Sequence, residues 1–346
     1  MKKNSDDINR RDFIKKGLKI ASALTISYAG LNLTSCDNPR SLLESLGGQT
    51  TTPPTSTSLA GIIAGGYNGT SAISQCYKYS NSTSSWTSQL GLNTPKYFNQ
   101  GFSNGTGIGF SAGGFSGAAY LAELEKYSDS AGTWTFNTSL NAGKHGMAGF
   151  SLYTDTAIVA GGKSLTGILN IAEKYYESFN FWSITASMNG YRWMPGSFSL
   201  GNGSGMAAGG MTNLFVLTNT SEKYSDSTFT WTYKANISVA RYSLIGFSLG
   251  VDSGLLAGGY DPGTATFYAT VEKYSDTTNT WAIKPSLSSA KFLPGSFSLD
   301  STSGVLAGGY NGTFLSSAEK YDDTTSSWTV LASIPAPSGG QAGFGL

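Results

Sequence analysis

Charge is scarce in this chain, and so are histidine and cysteine. Of 346 residues only 12% are Asp, Glu, Lys or Arg, one is His and two are Cys. A single imidazole, His145, excludes a His-rich metal centre and any catalytic network that needs several histidines. Two cysteines, Cys36 and Cys76, exclude a disulfide framework, so stability has to come from packing. Glycine is abundant at 45 residues, yet no Gly-Lys-Ser/Thr follows a strand at phosphate-loop spacing. What is present is 19 Tyr, 18 Phe and 7 Trp among much Ser and Thr, a composition of short strands and many turns. The chain reads as all-β. Its length alone suggests two or three domains, but a repeat architecture overrides that expectation.

The few charges are unevenly placed. Residues 1–35 carry seven cations against three anions, leaving 15 Lys/Arg and 18 Asp/Glu in the rest. That remainder is near −3, which gives no general attraction for nucleic acid or an anionic membrane surface. The run Asn9-Arg10-Arg11-Asp12-Phe13-Ile14-Lys15-Lys16 resembles the twin-arginine export signal. An apolar stretch from Ile20 to Leu33 follows, too short and too polar for a comfortable span. It ends in Leu33-Thr34-Ser35-Cys36, which resembles the lipobox of bacterial lipoproteins. The expectation is a signal peptide over 1–35, a lipid on Cys36, and a Ser/Thr/Pro-rich tether over 36–58 that cannot bury a core. Two acyl chains would hold the protein stably on a membrane of the bacterial envelope, inner or outer.

From residue 59 onward one pattern recurs. Gly-Gly pairs fall at 65–66, 113–114, 161–162, 209–210, 258–259 and 308–309, each after an alanine and spaced by 48, 48, 48, 49 and 50 residues. A tyrosine follows in phase at Tyr79, Tyr127, Tyr175, Tyr224, Tyr274 and Tyr321, preceded by Glu-Lys in all but the first copy. Seven residues later stands Trp86, Trp134, Trp182, Trp231, Trp281 or Trp328. A period of this length with short strands and turn clusters such as Ser128-Asp129-Ser130 predicts one four-stranded blade per repeat.

These residues resemble the kelch repeat, whose blade shows a Gly-Gly pair, a Tyr and a Trp at these separations. The resemblance covers residues 59–346 and implies a six-bladed β-propeller, although Glu-Lys-Tyr-Ser-Asp replaces the family's more usual acidic residue, Tyr, Asp and Pro in several copies. Small residues suit the crowded strands near the axis, and the large rings suit the widening wedge between blades. A Phe strand precedes each Gly-Gly strand from the second copy onward (Phe102, Phe150, Phe198, Phe247, Phe297), but none precedes the first. The missing strand is expected at residues 341–346, entering blade one and closing the ring.

Antiparallel order puts the loop entering the first strand and the loop leaving the second on one face. Entering loops carry Lys96, Lys144, Arg192, Arg241 and Lys291, each followed by a ring: Tyr97, His145, Trp193, Tyr242 and Phe292. The other loops begin Tyr67-Asn68, Phe115-Ser116, Lys163-Ser164, Met211-Thr212, Tyr260-Asp261 and Tyr310-Asn311. A basic, aromatic-rimmed mouth would suit an anionic or sugar-like ligand, while a cation repeated in phase equally suits a repeated structural contact. Residues departing from the repeat average are the sharpest candidates: Trp193, His145, Lys163 and Asp261.

Glu125, Glu173, Glu222, Glu272 and Glu319 stand beside lysines on the third strand and read as outward, ion-paired strand residues. Glu123 and Glu177 fall outside the phase without a glycosidase-like partner. The copper chemistry of galactose-oxidase-like kelch enzymes needs a second histidine, which is absent. No cofactor, metal or catalytic residue is therefore expected. Three readings remain, the first two being a monomeric binding module for a protein or anionic glycan and an envelope sugar isomerase, since six-bladed kelch propellers that the chain resembles include N-acetylneuraminate epimerases. A plain structural spacer is the third.

Overall fold

Each Gly-Gly to Trp unit folds into one four-stranded antiparallel sheet in the computed structural model, which describes residues 59–105 and 107–346. The expected signal peptide, Cys36 and the tether lie outside the described residues. Blade four is representative. Its strands are Gly196–Gly201, Ser204–Ala208, Ser221–Ser225 and Thr230–Lys234, hydrogen-bonded in sequence order from the axis outward. Five such sheets take their strands in sequence order, with a short hairpin (Lys163–Ser164 with Gly167–Ile168, and Tyr260–Asp261 with Thr266–Phe267) between the second and third strands of blades three and five. The sixth, blade one, is composite: Ala342–Gly345 pairs antiparallel with Ala60–Ala64, register Ile62 to Phe344, as the missing Phe strand requires. The described residues thus form a six-bladed, kelch-type β-propeller closed by its C-terminal strand.

The invariant residues hold neighbouring blades together. Each indole N–H donates to a carbonyl at the end of the preceding blade's outer strand, from Trp134 to Leu90 at 3.1 Å through Trp86 to Ala332 at 2.9 Å across the closing interface. Each first-strand Phe wedges against the next blade's Trp, as Phe150 does against Trp231 at a centroid distance of 6.1 Å. That wedge fits because a small residue sits beneath it: a Cβ on Gly205 would lie 2.2 Å from Phe150 Cδ2. The Gly-Gly pairs answer a different need. Gly161 has φ +68°, and a Cβ there would meet the Arg192 carbonyl oxygen at 2.5 Å, so backbone conformation and close approach, more than axial crowding, require glycine.

A second belt runs through the third strands. Lys78, Lys126, Lys174, Lys223 and Lys273 reach Asp129, Glu177, Asp226, Asp276 and Asp323 of the following blade. At the closing interface Lys320 meets Asn81 instead, at 3.2 Å.

Candidate functional site

Six short backbone joints build one face of the ring. In each, the residue after the entering-loop cation position pairs with the residue after the Gly-Gly pair: Tyr97 with Phe115, His145 with Lys163, Trp193 with Met211, Tyr242 with Tyr260, Phe292 with Tyr310, and Gly339 with Tyr67. Reciprocal hydrogen bonds fix each pair, as between Tyr97 and Phe115 at 3.0 and 2.8 Å. The loops that sequence reading brought to one face are therefore stitched together there, and nine of the twelve paired residues carry rings.

These rings form a continuous circuit. Tyr67 touches Tyr97 at 5.1 Å, Tyr97 touches Phe115 at 5.6 Å, and Phe115 touches His145 at 5.6 Å. His145 meets Trp193 at 5.7 Å, Trp193 meets Tyr242 at 5.8 Å, and Tyr242 meets Phe292 at 6.4 Å. Phe292, Tyr310 and Phe314 complete the way back to Tyr67 at 5.7, 4.9 and 5.6 Å. Phe98, Tyr120 and Phe267 thicken the circuit. Sequence reading missed Phe98, Tyr120, Phe267 and Phe314, because they fall outside the paired positions and only the loop path brings them in.

The five entering-loop cations do not rim this crown. Lys96, Lys144, Arg192, Arg241 and Lys291 are at most 1% exposed and face inward. Each pairs with the third-strand glutamate of its own blade: Lys96–Glu125 at 2.9 Å, Lys144–Glu173 at 2.7 Å, Arg192–Glu222 at 3.0 Å, Arg241–Glu272 at 3.0 Å and Lys291–Glu319 at 2.9 Å. Burial pulls the Lys96, Arg192 and Arg241 pKa values down while the paired carboxylates oppose the shift. The basic mouth expected from the sequence gives way to neutralised interior pairs, because the loop backbone turns these side chains under the ring of joints. The glutamates are likewise corrected: they are buried, and they clasp the interblade loop rather than the neighbouring strand lysine. Glu222 accepts from Asn189 N at 2.7 Å, Asn189 Nδ2 at 2.9 Å and Gly190 N at 3.0 Å.

Of the sharper candidates, His145 is buried in a stack with Phe98 and Tyr120 and receives the Trp193 indole N–H on Nδ1 at 3.4 Å. Burial first, then Lys163, lower its pKa to about 4, so it is a neutral ring at physiological pH. Lys163 is half-buried on the crown, its ammonium 5.0 Å from the Trp193 centroid and 5.7 Å from that of Phe215. Asp261 turns back on its own loop, accepting from Gly263 N at 2.8 Å and the Thr264 hydroxyl at 2.9 Å. Tyr260 and Tyr310 stand in the circuit, each packed against Phe292.

Beneath the crown the axis is cinched by a closed cycle of backbone hydrogen bonds. Phe98 N donates to Gly340 O, Gly146 to Phe98, Met194 to Gly146, Ser243 to Met194, Leu293 to Ser243 and Gly340 to Leu293, at 2.7–3.5 Å. All six residues have φ between +52° and +75°. Head-to-tail amides of this kind polarise one another. Below the cycle runs a channel of about 700 Å³, bounded by the first strands and rich in serine: Ser103, Ser151, Ser199, Ser248 and Ser298. It leads to the opposite face, where Val251, Asp300 and Leu59 border it. Sugar isomerisation needs an acid and a base within reach of the ring. Among the described residues lining this channel, Asp300 alone is titratable, and no cluster of three or more His, Cys, Asp or Glu groups could hold a metal.

Comparison with known proteins agrees with this architecture. The Kelch motif family model matches residues 305–335, most of the last blade. Among solved structures, one titled "Structure of YjhT" superposes with a TM-score of 0.62 at 14% identity, over 82% of this chain and 99% of that one. No curated protein matches the chain. At that identity the likeness shows the fold, and the molecule is a six-bladed β-propeller with kelch-type repeats.

Proposed function

We propose that this chain is a non-catalytic binding module held at the bacterial envelope, engaging a glycan or protein partner through its aromatic crown. One observation carries the reading: a closed circuit of rings on one face, half-exposed at Tyr67, Tyr97, Phe115, Trp193, Tyr242, Tyr260, Phe292 and Tyr310. A contiguous, partly exposed aromatic surface marks an interaction site. Export by the twin-arginine-like signal of residues 1–35 and lipidation of Cys36 complete the proposal, with residues 36–58 as tether.

Two experiments test this. Metabolic labelling with a palmitate analogue should mark the wild-type protein and leave Cys36→Ala unlabelled; label on the variant removes the anchor from the proposal. The mature chain should bind purified cell-envelope fractions, and Tyr242→Ala with Tyr260→Ala should abolish that binding while the thermal midpoint stays within a few degrees. Binding that survives both changes places the site elsewhere.

A further inference from the structure

We infer that the ligand of the crown is an uncharged glycan lying along its arc of rings, an inference that rests on the binding-module reading above. A pyranose presents a face of C–H groups bordered by hydroxyls. It is held by aromatic π faces with neutral hydrogen-bonding groups at their edges. The crown supplies an arc of successive rings, in which Tyr260 is itself stacked between Phe267 and Phe292 and offers its edge and hydroxyl. Trp193 to Tyr242 is 5.8 Å, Tyr242 to Tyr260 is 6.0 Å and Tyr260 to Phe292 is 5.0 Å, with interplanar angles of 37°, 51° and 22°.

The hydroxyls supply the edges. Among the described residues, the phenols of Tyr67, Tyr97, Tyr242, Tyr260 and Tyr310 make no hydrogen bond to protein, although their rings are half-buried. Four interior tyrosines behave differently. Tyr127, Tyr224, Tyr274 and Tyr321 donate to Asp129, Asp226, Asp276 and Asp323. Five unspent phenols on one face, each able to donate and accept, are what a polyhydroxylated ligand uses. Burial raises the Tyr97 and Tyr242 pKa values above the ordinary phenol, so both remain neutral donors.

Charge decides against the neighbouring ligand classes. An acidic glycan needs cations at the surface, and the five in the entering loops are buried against glutamates. Lys163 is the one cation among the described crown residues, and its ammonium already lies over Trp193 and Phe215. A quaternary ammonium ligand would want the same π faces and would meet that ammonium.

The test is titration calorimetry of the full mature chain with matched oligosaccharide pairs: chito- and cello-oligosaccharides beside analogues bearing a sialic or uronic acid. The neutral members should bind with an affinity indifferent to salt. Trp193→Ala should weaken them roughly thirtyfold, as loss of a central aromatic anchor does. Tyr242→Phe, which keeps the packing and removes one hydroxyl, should weaken them several-fold. Tighter binding of the acidic members, lost on adding salt or on Lys163→Gln, overturns the inference. If no glycan binds but a purified envelope protein does so in a Trp193-dependent way, the glycan inference falls and the module reading stands. If neither binds through the crown, both fall.

Discussion

Blade one differs from the other five in a way that explains them. Blades two to six each bury a cation from the entering loop against a glutamate on the third strand. In blade one the cation position is Ser338 and the glutamate position is Tyr77, so both charges are absent together. Tyr77 is 6% exposed and packs in an apolar cluster with Ile63 and Ala336. The chain thus contains its own paired replacement: wherever one charge is present so is the other, and where both are gone hydrocarbon fills the space. A ligand would not impose that coupling, because Tyr77 lies under the crown. The cations fasten the interblade loop, and blade one, closed by its C-terminal strand, does without them. The belt repeats the lesson: blade one also offers Asn81 where every other blade offers a carboxylate.

The comparison breaks most forcefully if one charge of a pair is removed alone. Arg192→Ser leaves the Glu222 carboxylate buried with no cation, and Glu222→Tyr leaves the guanidinium unpaired. Each should cost about 3–5 kcal/mol in equilibrium denaturation. The double change, which transplants the blade-one solution into blade four, should recover most of that loss, since ion pairs replaced by well-packed residues cost little. Equal and additive losses would show that the pair is incidental and reopen a surface role for Arg192.

How far this was legible depends on the kind of pattern. Gly-Gly, Tyr and Trp each make the same contact in every blade, so their spacing gave the period, the blade count and the closing strand at 341–346. The rings after Lys96, Lys144, Arg192, Arg241 and Lys291 were legible as one face because antiparallel order alone puts them there. The direction of the cations was not, since a loop residue's side chain points wherever the backbone turns it. One signal is present in the sequence: the copy whose third strand lacks Glu-Lys-Tyr is the copy whose entering loop lacks Lys or Arg. Coupling two absences across Ser338 and Tyr77 would have paired the charges without coordinates. The crown's continuity had no such signal. Phe98, Phe267 and Phe314 join it through loop geometry that no periodicity encodes.

A smaller effect comes from the same ring of joints, where His145 stands at the position that Gly339 holds for blade one. The pKa of His145 is about 4 in the fold and 6.5 when unfolded. Between those values the unfolded chain binds more protons, so stability rises with pH through that window and is lost on acidification toward pH 4. The expected loss is about 2–3 kcal/mol between pH 7 and 4. His145→Phe should flatten that slope in denaturation curves, and an unchanged slope would assign the acid sensitivity to other groups.

The smallest effect repairs the belt. Asn81→Asp should give Lys320 the carboxylate that the other five lysines already have. Pairs in this belt are mostly 13–29% exposed, so solvent screening limits the gain to roughly 0.2–1 kcal/mol. The gain should shrink at high salt, a dependence that thermal melts in low and high salt would read. A stabilisation that persists in high salt would mean the new aspartate acts through hydrogen bonding in the 81–84 turn. A destabilisation would mean that blade one is built to close without charge, and that its strand pairing from Ala64 to Ala342 already supplies what the ion pairs supply elsewhere.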